Sequence, residues 1–158
     1  FTVYKNTMYI PFLVMIFHAA IFEAVAFHWY FHDRMPILAW GHTLLSIYGL
    51  LFFLADFRAL TLNPVKIVDG KIYISNGLMK RTKIDLTNIA HIHTAVQDET
   101  IYHLKVMGNT DELPAFVMEM KELQIIHGIG GFEKKAKYIG VYADDPSSLR
   151  MEIESAMK

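Results

Sequence analysis

Two long apolar runs joined by a short polar link constrain this chain more than anything else in it. Residues from Met8 to Phe31 carry one formal charge, Glu23, and those from Pro36 to Ala55 carry none. A helix needs roughly 20 apolar residues to cross a hydrocarbon core of about 30 Å, and each run supplies them. Between them His32, Asp33, Arg34 and Met35 form a tight polar turn. Pro36 suits the first turn of the helix that follows, where its missing N–H loses no bond. The pattern predicts a transmembrane α-helical hairpin over residues 1–60, with helices over about 8–32 and 36–59. Neither run has the form of a cleaved signal peptide, because each is too long and no small-residue cleavage site follows the first. Phe1 is not an initiator methionine, so these residues are expected to be an excerpt of a longer product.

After Leu60 charges recur every few residues, and this shift marks a second domain over 61–158. Its charges nearly cancel, with 12 Lys and Arg against 13 Asp and Glu from Thr61 onward. The whole chain carries a formal charge of -1, which argues against nucleic acid as a partner, since phosphate contacts need clustered cations. There is no cysteine, so disulfides, thiolate chemistry and Cys-based zinc sites are excluded. Beyond the hairpin Arg58, Lys66, Lys71, Lys80, Arg81 and Lys83 follow, whereas the turn offers Arg34 beside Asp33. The positive-inside rule then puts both termini in the cytoplasm and the turn outside. The chain is expected to be an integral protein of the cytoplasmic (inner) membrane. Phe1 to Thr7 is expected at the interface, with Tyr4 and Tyr9 at headgroup depth.

From Asn63 the periodicity becomes that of strands. Val65 to Val68 and Lys71 to Ser75 flank Asp69-Gly70, the dipeptide that most favours a tight hairpin turn. Further β-rich runs follow at Lys83 to Leu86, Ile89 to Thr94, Ile101 to Met107, Ala115 to Met120, Leu123 to Ile126 and Tyr138 to Tyr142. Turn residues separate them at Asn76-Gly77, Asp98-Glu99, Gly108-Asn109 and Gly128 to Gly131. Asp144-Asp145-Pro146 then opens a helix with a carboxylate cap and Pro in its first turn. Leu149, Met151, Ile153 and Met157 give it an apolar face. The expected domain is an all-β to α+β unit, a small barrel of about seven strands plugged by one closing helix.

The Asp-Gly hairpin, the segment Lys83-Ile84-Asp85-Leu86-Thr87-Asn88-Ile89 and the helix start after Tyr138-Ile139-Gly140-Val141-Tyr142 resemble bacterial pleckstrin-homology-like domains. The whole looks like small bacterial membrane proteins that carry such a domain behind transmembrane helices. The resemblance covers Asn63 to Lys158 and brings no catalytic residues. It implies a binding or assembly module, often oligomeric. Phosphoinositide-binding relatives hold the headgroup with basic residues on a long first loop, and here that loop is the two-residue Asp69-Gly70 turn.

Several residues are candidates for chemistry. An ionisable group at the depth of Glu23 costs roughly 2.5 kcal/mol or more unless paired or protonated. Folding the hairpin about residue 34 puts it near Leu45 and Ser46, with Thr43 and Tyr48 in reach. It reads as a carboxyl joining the two helices, as a proton or ion relay, or as a contact for an absent partner helix. His18 is a further intramembrane polar group. His28 and His32 share a helix face at i, i+4, and His28 falls near Trp40 and His42. These imidazoles are candidates for a metal or haem site, against interfacial side chains with one wet end. His91 and His93 share one side of a strand, with His103 on a neighbour, as a metal pair or a solvated face. Ala20, Ala24, Gly41 and Gly49 are candidates for close helix packing. Lys80, Arg81 and Lys83 are candidates for lipid contact. Asp56 and Arg58 are expected just past the second helix as an ion pair.

No nucleophile arrangement and no phosphate-binding loop is present, and Gly128 to Gly131 reads as a connection. The expected function is non-enzymatic: a hairpin anchor presenting a small domain for assembly or partner binding. Its partners are the bilayer and either copies of itself or other membrane subunits, with no cofactor. The alternatives are a metal- or haem-binding redox subunit using His28, His32 and His42, and an ion or proton pathway through Glu23. From its net charge, 61–158 cut free of the hairpin is expected to bind anionic liposomes weakly.

Overall fold

Helix α1 (Tyr9–Phe31) and helix α2 (Pro36–Leu62) occupy the two apolar runs. The structure is a computed structural model and describes residues 1–5, 7–94, 100–106 and 113–157. The expected turns at Asp98-Glu99 and Gly108-Asn109 therefore lie outside the described residues. Both helices are long and apolar enough to cross a membrane, and neither is the hidden core helix of a soluble protein. None of the most apolar 18-residue window of α1 is buried, and 6% of that of α2. The link between them bonds back onto the first helix, with the Met35 N–H donating to the Phe31 carbonyl at 2.8 Å. Helix α2 runs to Leu62, so Asp56 and Arg58 lie within it rather than beyond it.

Seven strands follow: β1 (Lys66–Val68), β2 (Lys71–Asn76), β3 (Lys80–Asp85), β4 (Ile89–Thr94), β5 (Ile101–Leu104), β6 (Phe116–Gly128) and β7 (Glu133–Val141). They form one open sheet in the order β1-β2-β3-β6-β7-β5, with β4 branching from β6. The expected barrel is not formed, because no pairing among the described residues joins β1 to the far edge. What a closed barrel would wrap is covered otherwise. Leu149 and Ile153 of α3 (Pro146–Ala156) bury into the core alongside Leu60, Tyr9 and Val3.

The β1–β2 turn is as expected, with Asp69 at φ 50° and Gly70 at φ 70°, the paired left-handed residues of a two-residue hairpin. The two runs expected around residues 115–126 are one strand, β6, which bends in the middle. Its register on β7 shifts between Glu119 and Gln124. At the bend the Asn88 side chain stands in for a strand neighbour, its Oδ1 accepting from the Glu122 N–H at 2.8 Å and its Nδ2 donating to the Glu122 carbonyl at 3.3 Å. The first half of β6 thereby pairs with β4 and its end with β3. Where the β3–β6 backbone ladder is short, the Thr82 hydroxyl extends it by donating to the Ile125 carbonyl at 2.9 Å.

Helix α3 opens as the sequence predicts, with Asp145 Oδ1 accepting from the Ser148 N–H at 3.1 Å. Hydrogen bonds from the Ser148 side chain and then from its backbone hold the Asp145 carboxyl below its usual range. Leu149 and Ile153 are buried, but Met151 is 63% exposed and does not belong to the packed face. The N-terminal segment is tied into the sheet domain. Phe1 and Val65 bond reciprocally through their backbones at 2.7 and 2.8 Å, the Asp144 N–H donates to the Thr2 carbonyl at 2.9 Å, and Val3 is buried.

Candidate functional site

Polar groups converge where the hairpin meets the sheet. Asp56 is 5% exposed and accepts from the Tyr9 hydroxyl at 2.8 Å and from the Leu78 N–H at 2.7 Å. One carboxylate thus ties α1, α2 and the β2–β3 turn together, and the expected ion pair with Arg58 gives way to this junction. Gly77, at φ 63°, closes the turn against it, and a Cβ there would overlap the Asp56 carboxylate. A lone Asp directly after the second apolar run is the only sequence sign of this role.

The polar residues within the hairpin divide into two groups. His18 Nδ1 meets the Val14 carbonyl at 2.8 Å and Ser46 Oγ donates to the His42 carbonyl at 2.9 Å, so each is bonded within its own helix. Glu23 instead reaches across to His42, with Oε1 3.4 Å from Nε2. His42 in turn stacks on Phe27 with centroids 4.0 Å apart, and its Nδ1 is buried without a protein partner. The Glu23 side chain is 70% exposed, so His42 covers only part of it. The expected neighbourhood of Leu45 and Ser46 is displaced by about one turn, since hairpin geometry sets facing residues only to within a turn.

His28 Nδ1 pairs with Thr43 Oγ1 at 2.8 Å and lies edge-on to Trp40, while His32 Nδ1 meets its neighbour Asp33 at 3.0 Å. No three His, Asp or Glu side chains among the described residues cluster as a metal site would. The imidazoles of His28, His32 and His42 thus point to three different partners. The small residues also divide. Ala39 is fully buried, whereas a Cβ at Gly41 or Gly49 would meet nothing within 4 Å. Neither glycine is where α1 and α2 touch. Gly41 instead floors an open apolar groove with Phe27, Leu38, His42 and Leu45. Phe27 and His42 place that groove on the Glu23 face.

On the sheet, successive residues of β3 point to opposite sides, so Lys80, Arg81 and Lys83 do not form one patch. Lys80 Nζ donates to the His103 carbonyl at 3.2 Å on one side. Burial, then Lys105 and Lys134, push its ammonium below the usual value. Arg81 and Lys83 face a groove of about 490 Å³ between the end of α2 and β1–β3, which Ala59, Pro64, Lys66 and Tyr73 also line. Lys83 Nζ lies 5.2 Å from the Tyr73 ring centroid. Among the described residues no Asp or Glu lines this groove, so it suits an anionic group. Lys66 is brought in by the β1–β2 hairpin, opposite Tyr73, whereas His127 arrives by pairing with Arg81, 46 residues away, which no local pattern reveals.

His93 Nε2 lies 3.0 Å from Glu119 Oε2, and the Tyr138 hydroxyl donates to Oε1 at 3.3 Å. The His93 bond, ahead of Lys137 and Tyr138, holds the Glu119 carboxyl below its usual range against burial. His91 lies beside His93, with rings 6.0 Å apart. His103 is apart from both, its Nδ1 2.9 Å from the Tyr142 hydroxyl, and burial, then Lys105 and Lys80, lower its pKa. Compared with known proteins, the chain matches no protein family, no curated protein and no solved structure.

Proposed function

We propose that this chain is a non-enzymatic assembly subunit of the inner membrane. In this reading the hairpin spans the bilayer with both termini cytoplasmic, and it joins copies of itself or other subunits through its Glu23 face. The observation that carries the reading is the 70% exposure of the Glu23 side chain midway along α1. A carboxyl left facing lipid is costly, and a further helix with a hydrogen-bond donor would cover it. The open groove at Gly41 on the same face supports this, because close backbone approach at small residues drives helix association in lipid.

The sheet domain serves as the presented module, with the Lys66, Arg81 and Lys83 groove as the place for an anionic group of a partner. The Asp69-Gly70 hairpin and the capped α3 support the pleckstrin-homology-like reading, and such domains act in binding and assembly. Sedimentation of the full chain in mild detergent tests the proposal, both as expressed alone and as cross-linked in its native membrane before extraction. A species larger than the monomer is expected in at least one preparation, reduced by Glu23→Ala. A monomer in both preparations overturns the reading.

A further inference from the structure

The β2–β3 turn and the β6–β7 turn lie side by side at the end of the hairpin. The Leu78 N–H donates to Asp56 and the Ile129 N–H donates to the Met79 carbonyl at 3.1 Å. Asp56 comes 20 residues after Pro36, which along a straight helix is about 30 Å, the thickness of a hydrocarbon core. Tyr9, bonded to Asp56, begins α1 at the same level. Both turns therefore stand at the inner boundary of the apolar slab that the hairpin defines.

Three large apolar side chains are exposed there, flanked by the half-exposed pair His127 and Glu133. Phe132 is 77% exposed, and Ile129 and Leu78 are each 46% exposed. Behind them two ammonium groups converge on one ring, with Lys80 Nζ 5.3 Å and Lys134 Nζ 5.8 Å from the Tyr102 centroid. Glu133, next to Phe132, is engaged by His127 at 3.1 Å. Apolar side chains backed by cations match the bilayer interface, where acyl chains give way to phosphates.

We infer that the β6–β7 turn is a lipid-anchoring tip. It seats Ile129 and Phe132, with Leu78, in the inner-leaflet interface and sets Lys80 and Lys134 toward the phosphates of anionic phospholipid. The inference rests on the hairpin spanning the bilayer. It adds a third point of attachment, so the sheet domain is held against the membrane rather than hung from it.

The chain has no cysteine, so single substitutions can carry a fluorophore without background. Full-length Ile129→Cys, Phe132→Cys, Leu54→Cys and Val68→Cys would be labelled in nanodiscs of phosphatidylcholine and phosphatidylglycerol and quenched with nitroxide lipid. Leu54 lies within α2 and Val68 at the far end of the β1–β2 hairpin. Position 54 should be strongly quenched, and 129 and 132 several-fold more than 68. Phe132→Ser should reduce quenching at 129, and so should omitting phosphatidylglycerol. If 54 is quenched while 129 and 132 match 68, the tip is overturned and the hairpin stands. If 54 is also unquenched, the spanning hairpin fails and the tip with it. Quenching at 129 indifferent to phosphatidylglycerol overturns the role given to Lys80 and Lys134.

Discussion

The hydroxyl of Tyr9 and the carboxylate of Asp56, 47 residues apart in the chain, meet in a buried hydrogen bond of 2.8 Å. The same carboxylate accepts the Leu78 N–H, so the hairpin and the sheet share one polar joint.

Asp56→Ala should leave the Tyr9 hydroxyl buried without a partner and free the half-exposed Leu78 N–H. A buried unsatisfied group costs about 1–3 kcal/mol. Thermal unfolding of the full chain in detergent should show the loss, and amide exchange at Leu78 should quicken. Tyr9→Phe keeps the Leu78 bond and should cost less, with exchange at Leu78 nearly unchanged. Equal exchange in all three proteins would count against the joint.

Gly77→Ala tests the same place from the sheet side. The residue needs a left-handed φ and has no room for a Cβ beside Asp56. A loss of at least about 1 kcal/mol is expected, because both terms act together. A comparable substitution at Gly131, which has a left-handed φ and open space around it, should cost less.

Gly41→Leu places a side chain into the open groove on the Glu23 face. Since nothing lies within 4 Å of its Cβ, the stability of a single copy should change by less than about 1 kcal/mol. Association should nevertheless fall, as read by sedimentation, because the approach of a further helix is blocked. Unchanged association would remove the groove from the assembly face.

The bond from His93 keeps the Glu119 carboxyl ionised to lower pH in the fold than in the unfolded chain. That linkage stabilises the fold above the ordinary carboxylate range and fades as pH falls through the folded value. Glu119→Gln should therefore be less stable than the natural chain near neutral pH, with the difference closing on acidification. Melting temperatures measured from neutral to acid pH check the sign.

Residues 61–158 alone should be much less stable than the full chain. Val3, Tyr9 and Leu60 are all buried in the sheet domain's core, and a buried large apolar side chain contributes about 1.5–3 kcal/mol. Losing three of them approaches the whole stability of a typical domain. Circular dichroism melts and binding of a hydrophobic dye would register the difference. The weak liposome binding expected of this fragment thus concerns a chain stripped of part of its core and of the Ala59 wall of the cationic groove.

What the sequence made legible was local. The helix starts, the four-residue link, the Asp69-Gly70 turn and the Asp145 cap depend on neighbours within a few residues, and they are found as read, whereas the second helix runs on to Leu62. What it hid depends on distant pairing. The bend in β6 splits one strand's pattern into two apparent runs, and the Asn88 side chain that bonds Glu122 there lies 34 residues away. The charge shift at residue 60 marks where the apolar surface ends, but burial of Leu60 carries the core across it. The His42 ring nitrogen faces Glu23 across the hairpin, a pairing hidden in the sequence because ring nitrogens do not announce their partners in a linear chain.

Strand β5 lies parallel to β7, with Ile101 opposite Tyr138 and Leu104 opposite Val141. During synthesis its residues leave the ribosome some 40 positions before the strand that receives them. Until β7 is complete, the described partner strand of Ile101 and Leu104 does not exist, although both long helices are already made. Assembly of this sheet is thus a late event in the life of a nascent chain. A chain ending between Leu104 and Glu133 would carry β5 without the strand that receives it.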